Sequence, residues 1–279
     1  MIVVSEWLKN AGDSLRGVGI DSARLDAELI LSFALEKSRE WIAAHGDSPL
    51  SDKQIEPLNL LLTHRINREP ISYILKKKEF YGREFTVTPD VLIPRPETEQ
   101  IVEIIKEIFL EQIFSKRCSI LDIGTGSGAI AVTLALEMPN VKVVGTDISE
   151  SALAVAEKNR ERFGANVKFL QSDLFENPEI TADFDVIAAN LPYVDRNWQV
   201  SPETAFEPEI ALFADDEGLK LIKKLIRQAP NYLRTGGFLV LEMNPRQIEP
   251  VKIFAKEYGF EVYDEKFFIL TLRLQNMVK

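Results

Sequence analysis

Cysteine and histidine are nearly missing from this chain of 279 residues. It has one of the first, Cys118, and two of the second, His45 and His64. One cysteine excludes an internal disulfide. No His/Cys group has metal-ligand spacing, so no metal site is expected. Cys118 opens the apolar run SILDIG and reads as a small buried hydrophobe, and both histidines read as structural or exposed. Long apolar runs are missing too: none approaches the roughly 20 residues of a membrane-spanning helix. The opening MIVVSEWLKN turns charged too soon for a secretory signal. The expectation is a cytoplasmic protein with no membrane partner. Repeats and low-complexity tracts are absent. Positive charge is in deficit, with 33 Lys and Arg against 43 Asp and Glu and a net charge of −10. That balance disfavours direct nucleic-acid binding, and the one short cluster, Lys76 to Lys78, reads as a solvated turn.

The chain is long enough for a catalytic domain and a smaller companion. Its first 70 residues read as a short helical bundle. Leu25, Leu29 and Phe33 recur at helical spacing, as do Leu58, Leu62 and Ile66. Asp21 or Ser22 could cap one helix, and Ser51 or Asp52 another. Residues 79–88, EFYGREFTVT, have the alternation and the turn glycine of a hairpin. Pro89, Pro94 and Pro96 then mark an irregular connector. A helix is expected to start near Pro96, with Ile101, Ile104, Ile105 and Ile108 on its apolar face.

From residue 118 strands and helices alternate. SILDIG (119–124), KVVGTDI (142–148), VKFLQSD (167–173), FDVIAAN (184–190) and GFLVLEM (237–243) read as buried strands. Residues 128–138, 150–163 and 216–234 read as helices, and the tail as two more strands joined by a short turn. This is the pattern of a mostly parallel sheet covered on both faces.

Between the first of these strands and its helix lies DIGTGSG, residues 122–128. Glycines 124, 126 and 128 let the backbone turn sharply and approach a ligand closely, with a helix N-terminus behind them. Gly124, Thr125, Gly126, Ser127 and Gly128 are therefore candidate cofactor-binding residues. The loop also satisfies a permissive dinucleotide pattern through Gly124, Gly126 and Ala129. Asp122 argues against a pyrophosphate there and for a cationic amine. Asp147 ends the second strand, where an acid can accept both ribose hydroxyls. Asp173 ends the third, where an adenine amine would lie, and Leu174 beside it could pack on the base or fill core.

Asn190, Leu191, Pro192 and Tyr193 follow the fourth strand, which delivers them to the same sheet edge. An amide nitrogen is a poor nucleophile because its lone pair is delocalised. Two acceptors aimed at its N–H bonds would hold it for attack on a methyl group: the Asn190 side-chain oxygen and the Leu191 carbonyl. Pro192 restricts Leu191 to extended geometry, and Tyr193 offers an aromatic face to a flat group. No strong base is needed first, since the nitrogen becomes acidic once methylated.

In this combination the chain resembles the protein-(glutamine-N5) methyltransferases of peptide-chain release factors, the HemK-like enzymes. The resemblance spans nearly the whole chain. Arg68-Glu69-Pro70, Tyr73-Ile74 and Glu79-Phe80-Tyr81-Gly82 carry it, as do the glycine loop, Asp147, Ser172-Asp173, Asn190 to Tyr193, Glu207-Pro208 and Ala211-Leu212. Its narrowest signal is Leu92-Ile93-Pro94-Arg95-Pro96-Glu97-Thr98-Glu99.

The resemblance implies an α/β, Rossmann-like class I methyltransferase domain over 97–279, with a mostly parallel seven-stranded sheet. A helical domain over 1–75 would dock the substrate, and a hairpin and proline linker would cover 76–96. It further implies S-adenosylmethionine as cofactor and, as partner, the GGQ-containing domain of a release factor, with a monomer acting on its glutamine. Arg95 to Glu99 would line the cofactor or substrate side of the cleft. Three positions depart from the family pattern: Leu191 replaces a usual proline, Lys76 a usual glycine, and FADDEGL (213–219) a glycine-rich stretch. Asn-Leu-Pro-Tyr is also the form seen in ribosomal RNA adenine-N6 dimethyltransferases, which leaves an exocyclic amine as an alternative target. An NAD-dependent oxidoreductase would explain the glycines and Asp147 but not Asp122 or Asn190 to Tyr193. A catalytically silent cofactor-binding protein is the third alternative.

Overall fold

A computed structural model describes residues 2–111, 118–181 and 183–275, which fall into two compact units. The first comprises 1–77 together with 201–206. Its helices are α1 (Val4–Gly17), α2 (Ala23–Leu35), α3 (Arg39–Ala44), α4 (Asp52–Ile66) and α5 (Ile71–Ile74). Their core joins Trp7, Leu15, Ala27, Ile30, Leu31, Ile42 and Leu58, all buried. The expected α2 face is displaced: Leu25 and Phe33 are exposed, and Ala23, Ala27, Ile30 and Leu31 point inward. Two of those four are alanines, so the more hydrophobic Leu25–Phe33 row masked the true seam, which packs closely on α1. Ser51 opens α4 as expected, its N–H donating to the Gln54 side chain at 3.0 Å. At the floor of the unit the buried Arg65 donates to Asp26 at 2.7 Å and to Glu203 at 3.2 Å. His45 stacks on Trp41 and His64 pairs with Glu69, and both histidines are exposed.

The second unit, 78–200 with 207–279, opens on the hairpin. Strands β1 (Lys77–Phe80) and β2 (Arg83–Thr86) are joined by Tyr81 and Gly82, at φ 52° and 69°. Positive φ at both central residues is the hairpin turn whose twist matches its strands. Lys77 and Lys78 lie in β1, which leaves only Lys76 in the expected turn. Next come α6 (Glu99–Glu111), β3 (Ser119–Ile123), α7 (Ala129–Glu137), β4 (Lys142–Asp147), α8 (Glu150–Phe163), β5 (Val167–Gln171) and β6 (Phe184–Ala189). The chain then adds α9 (Glu209–Leu212), α10 (Lys220–Gln228), β7 (Leu233–Glu242), α11 (Pro245–Glu257), β8 (Phe260–Lys266) and β9 (Ile269–Leu274). Cys118, just before β3, is half-buried rather than buried.

The seven strands run in the order β5-β4-β3-β6-β7-β9-β8. All are parallel except β9, which is antiparallel to β7 and β8. Alternation along each strand serves two faces. Leu121, Ile123, Ile187, Leu239 and Leu241 pack with α10 and α11. Ile120, Val143, Val186, Phe238 and Val240 pack with α6, α7 and the hairpin phenylalanines 80 and 85. No helix among the described residues is long and apolar enough to cross a membrane.

Two expectations are corrected in the C-terminal third. The helix expected over 216–234 runs only from Lys220 to Gln228. Asp216, Glu217 and Gly218 all have positive φ, which delays its start, and Pro230 ends it in a tight turn at Ala229–Asn231. Strand β7 therefore begins at Leu233. Helix α11 was not anticipated, although Asn244 and Gln247 form its capping box and Pro245 its first position. Pro250 inside it obscured the pattern.

Candidate active site

Parallel pairing puts the C-terminal ends of β3, β4, β5, β6 and β7 on one edge of the sheet. Ile123 pairs with Thr146 on one side and Ala189 on the other. Every residue that directly follows these strands is thereby delivered to one place.

The glycine loop is held from below. The N–H groups of Gly124 and Thr125 both donate to the Thr146 carbonyl at 2.8 Å. Asp122 is fully buried beneath them and accepts from the Thr125 hydroxyl at 2.6 Å. Burial raises its carboxyl to about 7, and the Thr125 hydrogen bond only partly opposes this. The expectation that Asp122 meets a cofactor amine is thus corrected: it is the loop's internal strut. Asn159, fully buried on α8, donates to the Ser127 carbonyl at 2.8 Å and accepts from the Thr86 N–H at 2.7 Å. It fixes the loop to the hairpin, a role that nothing in the sequence singled out.

Above the loop lies a cavity of about 240 Å³. Gly124, Thr125, Gly126 and Ser127 line it, as do Asp147, Asp173, Leu174, Asn190, Leu191 and Pro192. Of the candidate residues, Gly128 and Tyr193 do not form its wall. Gly128 instead lets α7 approach α8, where a Cβ would meet Ala156 and Phe169 at 3.2 Å. Gly124 sits at φ 74°, and a Cβ there would lie 3.0 Å from Leu191 Cδ2. Leu191 is buried and closes the loop side of the cavity with its side chain.

Asp147 Oδ2 accepts from the Gly126 N–H and Oδ1 from the Ser149 N–H, each at 2.9 Å. Burial raises its pKa while these bonds oppose the rise. The cap of α8 is Ser149, not Asp147. Asp173 accepts from Lys224 Nζ at 3.0 Å, a partner the sequence did not reveal. Leu174 is both in the core and on the cavity wall.

Asn190 follows β6 directly and donates from Nδ2 to Thr98 Oγ1 at 3.2 Å. The Tyr193 hydroxyl donates to Glu242 at 3.2 Å, and its ring packs beside the core. Burial, then the Glu242 charge, pushes the Tyr193 pKa up. A residue beyond reach of sequence reasoning controls its backbone. Buried Gln247 donates from Nε2 to the carbonyls of Tyr193, at 2.9 Å, and Glu217, at 2.8 Å. Pro94 and Thr98 of the proline-rich segment reach the cavity wall, and its Arg95 pairs with buried Glu207 at 2.5 Å.

The donors and shapes present suit S-adenosylmethionine. A glycine-rich loop faces the cavity, a carboxylate stands at the end of the second strand, and an apolar wall of Ile148 and Leu174 adjoins a second carboxylate. With this strand order, the fold and cavity define a class I S-adenosylmethionine-dependent methyltransferase. A methyltransferase-domain family model matches residues 114–262, and the PrmC N-terminal domain model matches residues 6–75. The chain is 37% identical to the release factor glutamine methyltransferase of Koribacter versatilis, over 90% of this chain and 91% of that one. It is 39% identical to the protein of that name in Geobacter sulfurreducens, over 87% and 84%. It belongs to the release factor glutamine methyltransferase family. Its fold is similar to that of a methyltransferase from Pyrococcus furiosus, with a TM-score of 0.51 and 22% identity over 81% of this chain and all of that one. It is likewise similar to a Thermus thermophilus 16S rRNA N2 G1207 methyltransferase, with a TM-score of 0.53 and 21% identity over 71% and 49%.

Proposed function

We propose that this enzyme transfers a methyl group from S-adenosylmethionine to the side-chain amide nitrogen of the glutamine in the GGQ motif of peptide-chain release factors. The observation that carries this reading is Asn190 on the wall of the cofactor cavity. Its Nδ2 is committed to Thr98 and its Oδ1 is left to accept. The full-length likeness to relatives of that name points the same way and does not favour an RNA adenine target.

When bound, S-adenosylmethionine supplies an electrophilic methyl group on a cationic sulfonium. The protein's part is to bind and orient. Gly124 to Ser127 would cradle the cofactor's amino-acid end, Asp147 would take the ribose hydroxyls, and Asp173 and Leu174 would hold the adenine. Asn190 Oδ1 and the Leu191 carbonyl accept the two N–H bonds of the substrate amide, so that its nitrogen lone pair faces the methyl group. Transfer would break the sulfur–methyl bond and form the nitrogen–methyl bond, leaving neutral S-adenosylhomocysteine, and the nitrogen would release one proton to solvent. Pro192 keeps Leu191 extended, so replacing the usual proline at 191 leaves the carbonyl in place. Tyr193 holds the loop through Glu242; the expected stacking face is not on the wall.

Residues 1–75 dock the release factor in this reading. The chain works as a monomer in the cytoplasm and binds no nucleic acid, as its charge of −10 favours. The test is incubation with S-adenosylmethionine and a release factor, then mass spectrometry of the GGQ peptide. One added methyl on the glutamine, absent with Asn190→Ala, is expected. No added methyl, with cofactor demonstrably bound, would refute the substrate assignment.

A further inference from the structure

We infer that Thr98, backed by Glu242, orients the Asn190 side chain and so decides which end of that amide faces the substrate. The two ends of an asparagine side chain are nearly equal in size but opposite in chemistry, one a double donor and the other an acceptor. Only the oxygen end can grip a substrate NH₂. The orientation is therefore a condition for activity that Asn190 cannot set alone.

Thr98 sets it by accepting from Nδ2 at 3.2 Å. That bond uses a lone pair of the Thr98 hydroxyl and leaves its proton to be placed elsewhere. Glu242 is the carboxyl beside it: Thr98, Tyr193 and Asn190 all favour its ionised form. Glu242 lies at the end of β7, and its neighbour Leu241 pairs with Ala189, the residue before Asn190. Its Oε1 accepts from the Tyr193 hydroxyl at 3.2 Å, and its Oε2 is buried with no partner of ordinary hydrogen-bond geometry. In its ionised form the Glu242 carboxyl only accepts. The hydrogens of the cluster then run inward, toward Glu242, and the Asn190 oxygen is left outward. Thr98 is 4% exposed and Glu242 2%, so solvent does not substitute for either. Thr98 and Glu242 are positioning residues in this scheme, which rests on the proposed role of Asn190.

The test compares Thr98→Val, which keeps the shape and removes the hydroxyl, with Thr98→Ser, which keeps the hydroxyl. Methylation of the release factor gives kcat and KM, and calorimetry gives the affinity for S-adenosylmethionine. Thr98→Val should lose about tenfold or more in kcat, with cofactor affinity changed by less than about threefold, because orientation and not binding is removed. Thr98→Ser should restore most of the rate. Glu242→Gln keeps an acceptor for Tyr193 but adds a donor facing Thr98; it should show the same loss confined to kcat, and serves if Thr98→Val does not fold. Wild-type kcat in Thr98→Val and Glu242→Gln, with Asn190→Ala inactive, would overturn this inference and leave the reading of Asn190 standing. Equal losses in the Val and Ser variants would also overturn it. An active Asn190→Ala would overturn both.

Discussion

Gly218→Ala should cripple the enzyme although residue 218 lies outside the cavity wall and belongs to no motif. Gly218 has φ 81°, a conformation that costs an L-residue about 1–2 kcal/mol. Its Cβ would lie 2.0 Å from the Tyr193 carbonyl oxygen and 2.5 Å from Gln247 Nε2. Ordinary contact then requires the carbonyl to retreat by more than ~1 Å. That movement breaks the buried Gln247–Tyr193 hydrogen bond, and leaving its partners unsatisfied costs about 1–3 kcal/mol more. The sum, roughly 2–5 kcal/mol, should lower the melting midpoint by several degrees. Because Tyr193 lies three residues beyond Asn190, the same shift moves the proposed amide acceptors, and a misplacement of ~1 Å can cost on the order of 100-fold in rate. Steady-state methylation, cofactor calorimetry and thermal melting of the same preparation separate the effects. Gln247→Ala, which removes the bond without the clash, should show a smaller version of the rate loss. A Gly218→Ala enzyme with wild-type kcat and melting midpoint would show that the Tyr193 backbone is not held as described.

Asp147→Ala should weaken S-adenosylmethionine binding by about 10- to 100-fold, the worth of one or two hydrogen bonds to a charged group, measured by calorimetry; unchanged affinity would remove Asp147 from the cofactor site. Burial holds the Glu242 carboxyl at about 7, above its ordinary 4.5. The folded state therefore binds this proton more tightly than the unfolded chain, and its contribution to stability falls as pH rises from about 4.5 to 7, by up to ~3 kcal/mol. Glu242→Gln should flatten that part of the stability–pH curve from denaturant unfolding, and an unaltered slope would contradict it. Lys76 holds the left-handed conformation, φ 57°, at the position of the family's usual glycine. Lys76→Gly should be neutral or stabilising by up to about 1.5 kcal/mol, strain relief of about 1–2 against glycine's entropy of about 0.5–1; a clear loss in melting midpoint would refute that account.

Local pattern in the sequence determined the identity and order of the elements that build the cavity. Buried strands such as FDVIAA are apolar but for Asp185 because both faces are covered, and glycine loops and strand-end acids declare themselves by position. Gly124 to Ser127, Asp147, Asp173, Leu174 and Asn190 could thus be named from the chain alone, and the structure brings them to one cavity. The sequence misled where small or conformationally special residues governed. The alanines of α2 hid its core face, and three positive-φ residues delayed α10. What only the tertiary structure decided is which distant side chains support that edge. Asp122 became a buried strut, Asn159 tied the loop to the hairpin, and Lys224 took Asp173. Thr98, Glu242 and Gln247 met the loop of Asn190 and Tyr193 from three other elements. Such contacts depend on strand order and on helices returning to one sheet edge, over separations that no local periodicity encodes.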